Sequence, residues 1–94
     1  MVPIHPGRIL RRELKARQLS ANALARALRV PSGRIVDILN GKRSVTAETA
    51  LRLTRHFGTS AGFWLNLQKA YELEDAERTA GARVRAEVMP RSVA

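Results

Sequence analysis

SANALARALRVPSGRIVDILNG, residues 20–41, decides the fold. Ser20 is a helix N-cap, because its hydroxyl can accept a bond from an amide that the first turn leaves without a partner. Leu24, Ala25 and Leu28 then recur at three- and four-residue spacing, which predicts a short amphipathic helix over Ala21 to Leu28. Pro31 and Ser32 restart the chain after Arg29 and Val30. Ile35, Ile38 and Leu39 give the next helix an inner face, and Gly41 closes it as the residue after the C-cap. Two short helices joined by a tight turn, the first bracing the second, are what a helix-turn-helix requires. Ala25 is small where the pair must approach, and Val30 fills the turn.

Turn chemistry extends the pattern in both directions. Pro6 suits a first helical position, and Ile9, Leu10 and Leu14 line one face of a helix that runs to about Arg17. Thr46 caps a fourth helix whose predicted inner side is Ala50, Leu51, Thr54 and Phe57, ending at Gly58. Ser60 caps a fifth, in which Phe63, Trp64, Leu67, Ala70 and Tyr71 fall within a stripe about 120° wide at 100° per residue. Glu72, Glu74, Asp75 and Glu77 place the helix in solvent beyond about Leu73. Further on, Ala82, Val84, Ala86 and Val88 alternate with Arg83, Arg85 and Glu87 until Pro90. Period two is a strand signal, so this tail is a strand that pairs with a second copy, a short helix, or a disordered end. The expected architecture is all-α: a five-helix domain over residues 1–78, and a tail over 79–94 that can form a strand.

Charge points to the partner. The chain of 94 residues carries a net +9, and positions 1–55 hold 12 basic against 3 acidic side chains while positions 56–94 hold 5 of each. Solubility alone does not need such segregation, whereas a polyanion site does, since cations near phosphates release condensed counterions. With no cysteine and only His5 and His56, the usual zinc patterns cannot be assembled, and no cofactor or metal is expected. Neither histidine has a nucleophile or carboxylate pair at interpretable spacing, so no catalytic role is expected. A small basic nuclease is a further reading, disfavoured in a chain that reads as helical with only two histidines. No apolar run approaches the roughly 18 residues of a membrane span and no signal-peptide core opens the chain, so a cytoplasmic protein without membrane contact is expected.

Stretches outside the helix pair carry a resemblance. HPGRIL (His5–Leu10), NGKR (Asn40–Arg43), TAETALRL (Thr46–Leu53) and FGTSAGFWLNLQ (Phe57–Gln68), with the helix pair between them, resemble the Xre or Cro/C1-type helix-turn-helix, and within it the HigA (VapI-like) antitoxins. The likeness covers residues 5 to about 77. It implies a lambda-repressor-like fold, a homodimer on a palindromic double-stranded operator, dimerisation through the fifth helix and the residues after it, and a RelE-like mRNA-cleaving toxin as partner. A stand-alone regulator without a toxin is the alternative. Ala21 departs from the Gln that many relatives carry there, and Gly33 leaves the second helix of the pair sparsely furnished.

Geometry assigns roles to individual residues. With Ile35, Ile38 and Leu39 inward, Ser32, Gly33, Arg34 and Asp37 are the expected base readers. Arg34 can donate to O6 and N7 of a guanine together, and Asp37 can accept from a cytosine amino group or orient Arg34. Ser20, Asn22, Asn40, Lys42 and Arg43 are the expected phosphate ligands, at a helix N-terminus and just past a helix end. For Ser20 and Asn40, capping and helix termination already explain the residue. The dimer surface is sought at Leu65, Leu73, Val84 and Val88.

Overall fold

A computed structural model describes residues 3–92. It contains α1 (Pro6–Ala16), α2 (Ala21–Leu28), α3 (Ser32–Leu39), α4 (Ala47–Phe57) and α5 (Ala61–Glu87). The starts of α1, α2, α4 and α5 are fixed by side chains that accept from first-turn amides. Ser20 accepts from Ala23 at 3.0 Å, Thr46 from Thr49 at 3.3 Å, Ser60 from Phe63 at 3.1 Å, and His5 Nδ1 from Gly7 at 2.9 Å. Gly58 leaves α4 in the left-handed region at φ 78°, where lack of a Cβ removes the usual penalty. Arg29 adopts the same region at φ 59° to make the turn between α2 and α3.

Leu10, Leu14, Leu24, Leu28, Ile35, Ile38, Leu53 and Trp64 meet in one core around which α1 to α4 and the first half of α5 pack. Trp64 is buried with its indole N–H donating to Thr59 Oγ1 at 3.0 Å. Gln68 is buried beside it, and its side-chain oxygen accepts from the Val45 amide at 2.8 Å. That bond joins α5 to the segment entering α4 and satisfies a backbone donor that the core would otherwise strand.

At the first turn of α1 the packing is closest. A Cβ on Gly7 would overlap the Ile38 carbonyl oxygen and lie 2.8 Å from its carbon. The backbone of α1 therefore rests directly on the backbone of α3, a separation that any side chain at position 7 would prevent.

Two expectations change and one open alternative is decided. On α4 the buried leucine is Leu53, while Leu51 is 62% exposed. Leu51 lies three residues from Thr54 and Leu53 three from Ala50, and the buried Thr49, next to Ala50, turns the face toward Leu53. On α5 the inward face is rotated toward Gln68, leaving Phe63 and Ala70 exposed. The period-two tail is helix, not strand: α5 runs unbroken across the 78/79 boundary to Glu87. Among the described residues there is no strand for it to pair with. Alanines favour helix here, and Arg78–Asp75, Arg83–Glu87 and Arg85–Glu77 form ion pairs along it. Glu77 reaches Arg85 by lying across Gly81, where a side chain would collide with its carboxylate. Residues 1–2 and 93–94, at the two ends of the expected division of the chain, lie outside the described residues.

Replacing Gly7 with Ala separates α1 from α3 and destabilises the domain by about 3 kcal/mol. Thermal unfolding measures this: a drop of more than about 10 °C is expected for a domain of this size. An unchanged melting temperature would contradict the backbone contact.

Candidate nucleic-acid interface

The core fixes which face of α3 is free. At 100° per residue Ser32, Gly33, Val36, Asp37 and Asn40 span an arc of about 140°, opposite Ile35 and Ile38. Ser32, Gly33, Val36 and Asn40 are exposed and Asp37 partly so. Nothing stands within 4 Å of a Cβ position on Gly33. The face opens on small residues.

Arg34 does not share this arc. It sits about 160° round the helix from Val36, and its guanidinium reaches Glu48 of α4 at 3.4 Å. Glu48 also faces Arg52 Nε at 3.7 Å, and Arg52 in turn donates to the Leu28 carbonyl at 2.9 Å, closing the last turn of α2. Asp37 pairs with Arg43 at 3.9 Å, so the structure orients Arg34 through Glu48 and not through Asp37. Asn40 accepts from Arg11 of α1 at 3.2 Å, and the same guanidinium group donates to the Leu39 carbonyl at 3.3 Å. Lys42 and Arg43 are exposed after the left-handed Gly41, and Lys42 donates its amide to the Asp37 carbonyl at 2.8 Å. Ser20 and Asn22 stand exposed at the start of α2, the Ser20 hydroxyl already engaged as cap.

Electrostatically the region is one-sided. The three acidic residues of the first 55 are each salt-bridged: Glu13 to Arg17 at 3.1 Å, Asp37 to Arg43, and Glu48 to Arg34 and Arg52. Among the described residues Arg8, Arg12, Lys15, Arg26, Arg29 and Lys42 have no carboxylate partner, and all are exposed. Exposed pairs contribute little to stability, and their main effect here is to mask negative charge. No group of three or more His, Asp or Glu among the described residues could hold a metal ion. No helix among them is long and apolar enough to cross a membrane.

His5 ties the site together. Its ring lies edge-on to Tyr71 of α5, with centroids 4.8 Å apart, while its Nδ1 caps α1. Burial lowers the imidazole from its ordinary 6.5, against an opposing pull from the Arg43 backbone. The cap needs the unprotonated Nδ1.

Sequence reading missed four of these positions. Gly7 carried a signal, since a glycine inside a first turn with no capping task marks close approach. Arg11, Glu48 and Gln68 carried none, because each finds its partner through tertiary packing. Of the expected dimer positions, Leu65 is partly buried against the core, whereas Leu73, Val84 and Val88 are exposed. Leu73, Ala80 and Val84 lie within about 40° on α5.

A braced helix pair, a small-residue face on its second member and surrounding cations define a helix-turn-helix protein. The chain belongs to the helix-turn-helix family, whose model matches residues 10–64. Virulence-associated protein I of Dichelobacter nodosus is 56% identical over 79 residues, 83% of this chain and 73% of that protein. An addiction module antidote protein of the HigA family from Coxiella burnetii has a TM-score of 0.93 at 51% identity, covering 97% of this chain and 100% of that one. Pseudomonas aeruginosa antitoxin HigA, solved with the higBA promoter, has a TM-score of 0.93 at 45% identity, covering 96% and 99%. Within helix-turn-helix proteins, this is the HigA (VapI-like) branch.

Below pH 6.5 the unfolded chain binds a proton at His5 that the folded chain resists. Stability present above 6.5 is therefore lost as the pH falls through the lowered folded value. His5→Asn keeps a capping acceptor and takes up no proton. Between pH 7 and 5 the melting temperature of the original chain should fall more steeply than that of His5→Asn; parallel curves would contradict the role given to the imidazole.

Proposed function

We propose that the chain is a dimeric, sequence-specific DNA-binding antitoxin that represses its own operon and neutralises a RelE-like, mRNA-cleaving toxin. The observation that carries the reading is the outward face of α3, bordered by unpaired cations whose acidic neighbours are already masked. The Pseudomonas aeruginosa relative bound to the higBA promoter supports operator binding by the same fold.

In this reading Ser32, Gly33 and Asp37 face the base edges of a major groove, and Arg34 reaches a guanine from the flank by exchanging Glu48 for the base. Ser20, Asn22, Asn40, Lys42 and Arg43 bind phosphates on either side. The amides at the start of α2 add the partial positive charge of a helix N-terminus.

A second copy covers the outer half of α5. That segment rises from the body of a molecule 56 Å long with Leu73, Val84 and Val88 exposed, and helices of about 15 residues are marginal in water without packing. Pairing there, with Leu65 at the inner edge, sets two recognition helices about 34 Å apart, one turn of B-DNA. The toxin follows from the family likeness, and co-purification with the product of the adjacent reading frame tests it separately.

Titrating the DNA upstream of its own gene at about 50 to 200 mM salt tests the repressor claim. The original chain should prefer this DNA to a scrambled sequence, with affinity falling steeply as salt rises. Glu48→Gln, which removes a negative charge and releases Arg34, should tighten binding several-fold. Equal affinity for scrambled DNA, or weaker binding by Glu48→Gln, would contradict the proposal.

A further inference from the structure

The outward face of α3 presents an aliphatic side chain that the polar contacts around it leave without a task. Val36 is 40% exposed near the centre of the arc, whereas Ile35 and Ile38 are buried and Leu39 is partly buried. Its polar neighbours each have a partner within the chain: Asp37 pairs with Arg43, and Asn40 accepts from Arg11. One turn toward the N-terminus stand Ser32 and Gly33, and space around Gly33 is open.

We infer that Val36 reads the 5-methyl group of a thymine in each half-site, which makes it a specificity-determining residue of this chain. The inference rests on the operator-binding reading and adds a base identity to it. A valine is short and stiff at χ1, so it reaches a base edge only if the helix backbone comes close to the groove floor. The small residues at positions 32 and 33 permit that approach, since no long side chain at the start of α3 holds the helix away. Thymine carries an apolar group in the major groove, and contact with its methyl is the direct readout open to an aliphatic side chain. A cytosine, which offers an amino group at this edge, would meet a side chain that cannot accept its hydrogen bond.

Deoxyuridine differs from thymidine by that methyl group, so replacing thymines one at a time through the operator isolates the contact. For the original chain, uracil at the contacted position of one half-site should weaken binding about fourfold, the factor given by one buried methyl group at 0.8 kcal/mol. Substituting both half-sites should weaken it about fifteenfold. Val36→Ala, checked for an unchanged melting temperature, should bind thymine and uracil operators equally. Specific binding with no uracil-sensitive position, or a sensitivity that survives in Val36→Ala, would overturn the role of Val36 and leave operator binding intact. Loss of any preference over scrambled DNA would overturn the operator reading instead, and this inference with it.

Discussion

The contact between Gly7 and the Ile38 carbonyl sets the position of α3, and through it every group the interface offers. Helices usually pack with side chains between them at 8 to 10 Å. Here one helix has no side chain at the crossing, and the second half of α3 is seated on the first turn of α1. Leu24, Ala25 and Leu28 hold the other side, so the short helix is clamped between two neighbours and keeps its outer arc free. A two-turn helix has little stability of its own, and the clamp substitutes for length.

Charge is organised around the same element. Arg11 and Arg52 come from α1 and α4 to close α3 and α2, donating to carbonyls that helix ends leave open. Each keeps its positive charge while serving the fold. Carboxylates in this half are paired with guanidinium groups, so the field over α3 comes mainly from cations without carboxylate partners. Such an arrangement favours phosphate contact over base contact: in the proposed operator complex, affinity would come largely from the backbone of the DNA. Sequence discrimination would then rest on a few short side chains, on the spacing of two copies, and on DNA shape.

Most of the architecture was legible in the sequence because local chemistry dictates it. Ser20, Thr46 and Ser60 begin helices by a bond each makes within its own first turn, and Gly58 ends one by a backbone angle. The facing of α4 was misread, since Leu51 shares a three-residue spacing with Thr54 and Leu53 one with Ala50, and packing against α2 and α5 selects Leu53. Alternating Ala and Val with Arg left the tail undecided for a related reason. That pattern satisfies period two, yet Arg83 with Glu87 is also a four-residue helical pair. Arg34 looked outward by sequence position, but its angle round α3 carries it toward Glu48, a partner 14 residues away. Local rules predict caps and turns; they do not predict which of two equivalent faces the rest of the chain will cover.

The outer half of α5 makes its contacts along its own length and carries exposed apolar residues, while α3 carries the free polar arc. These are two surfaces with two chemistries, one apolar and the other polar and bordered by cations. Backbone amide NMR of the labelled chain, with and without the DNA upstream of its gene, tests that separation most directly. Shifts concentrated at residues 32–43 and at the start of α2, with residues 76–87 unmoved, are the expected result. Shifts centred on the outer half of α5, with α3 unchanged, would contradict it.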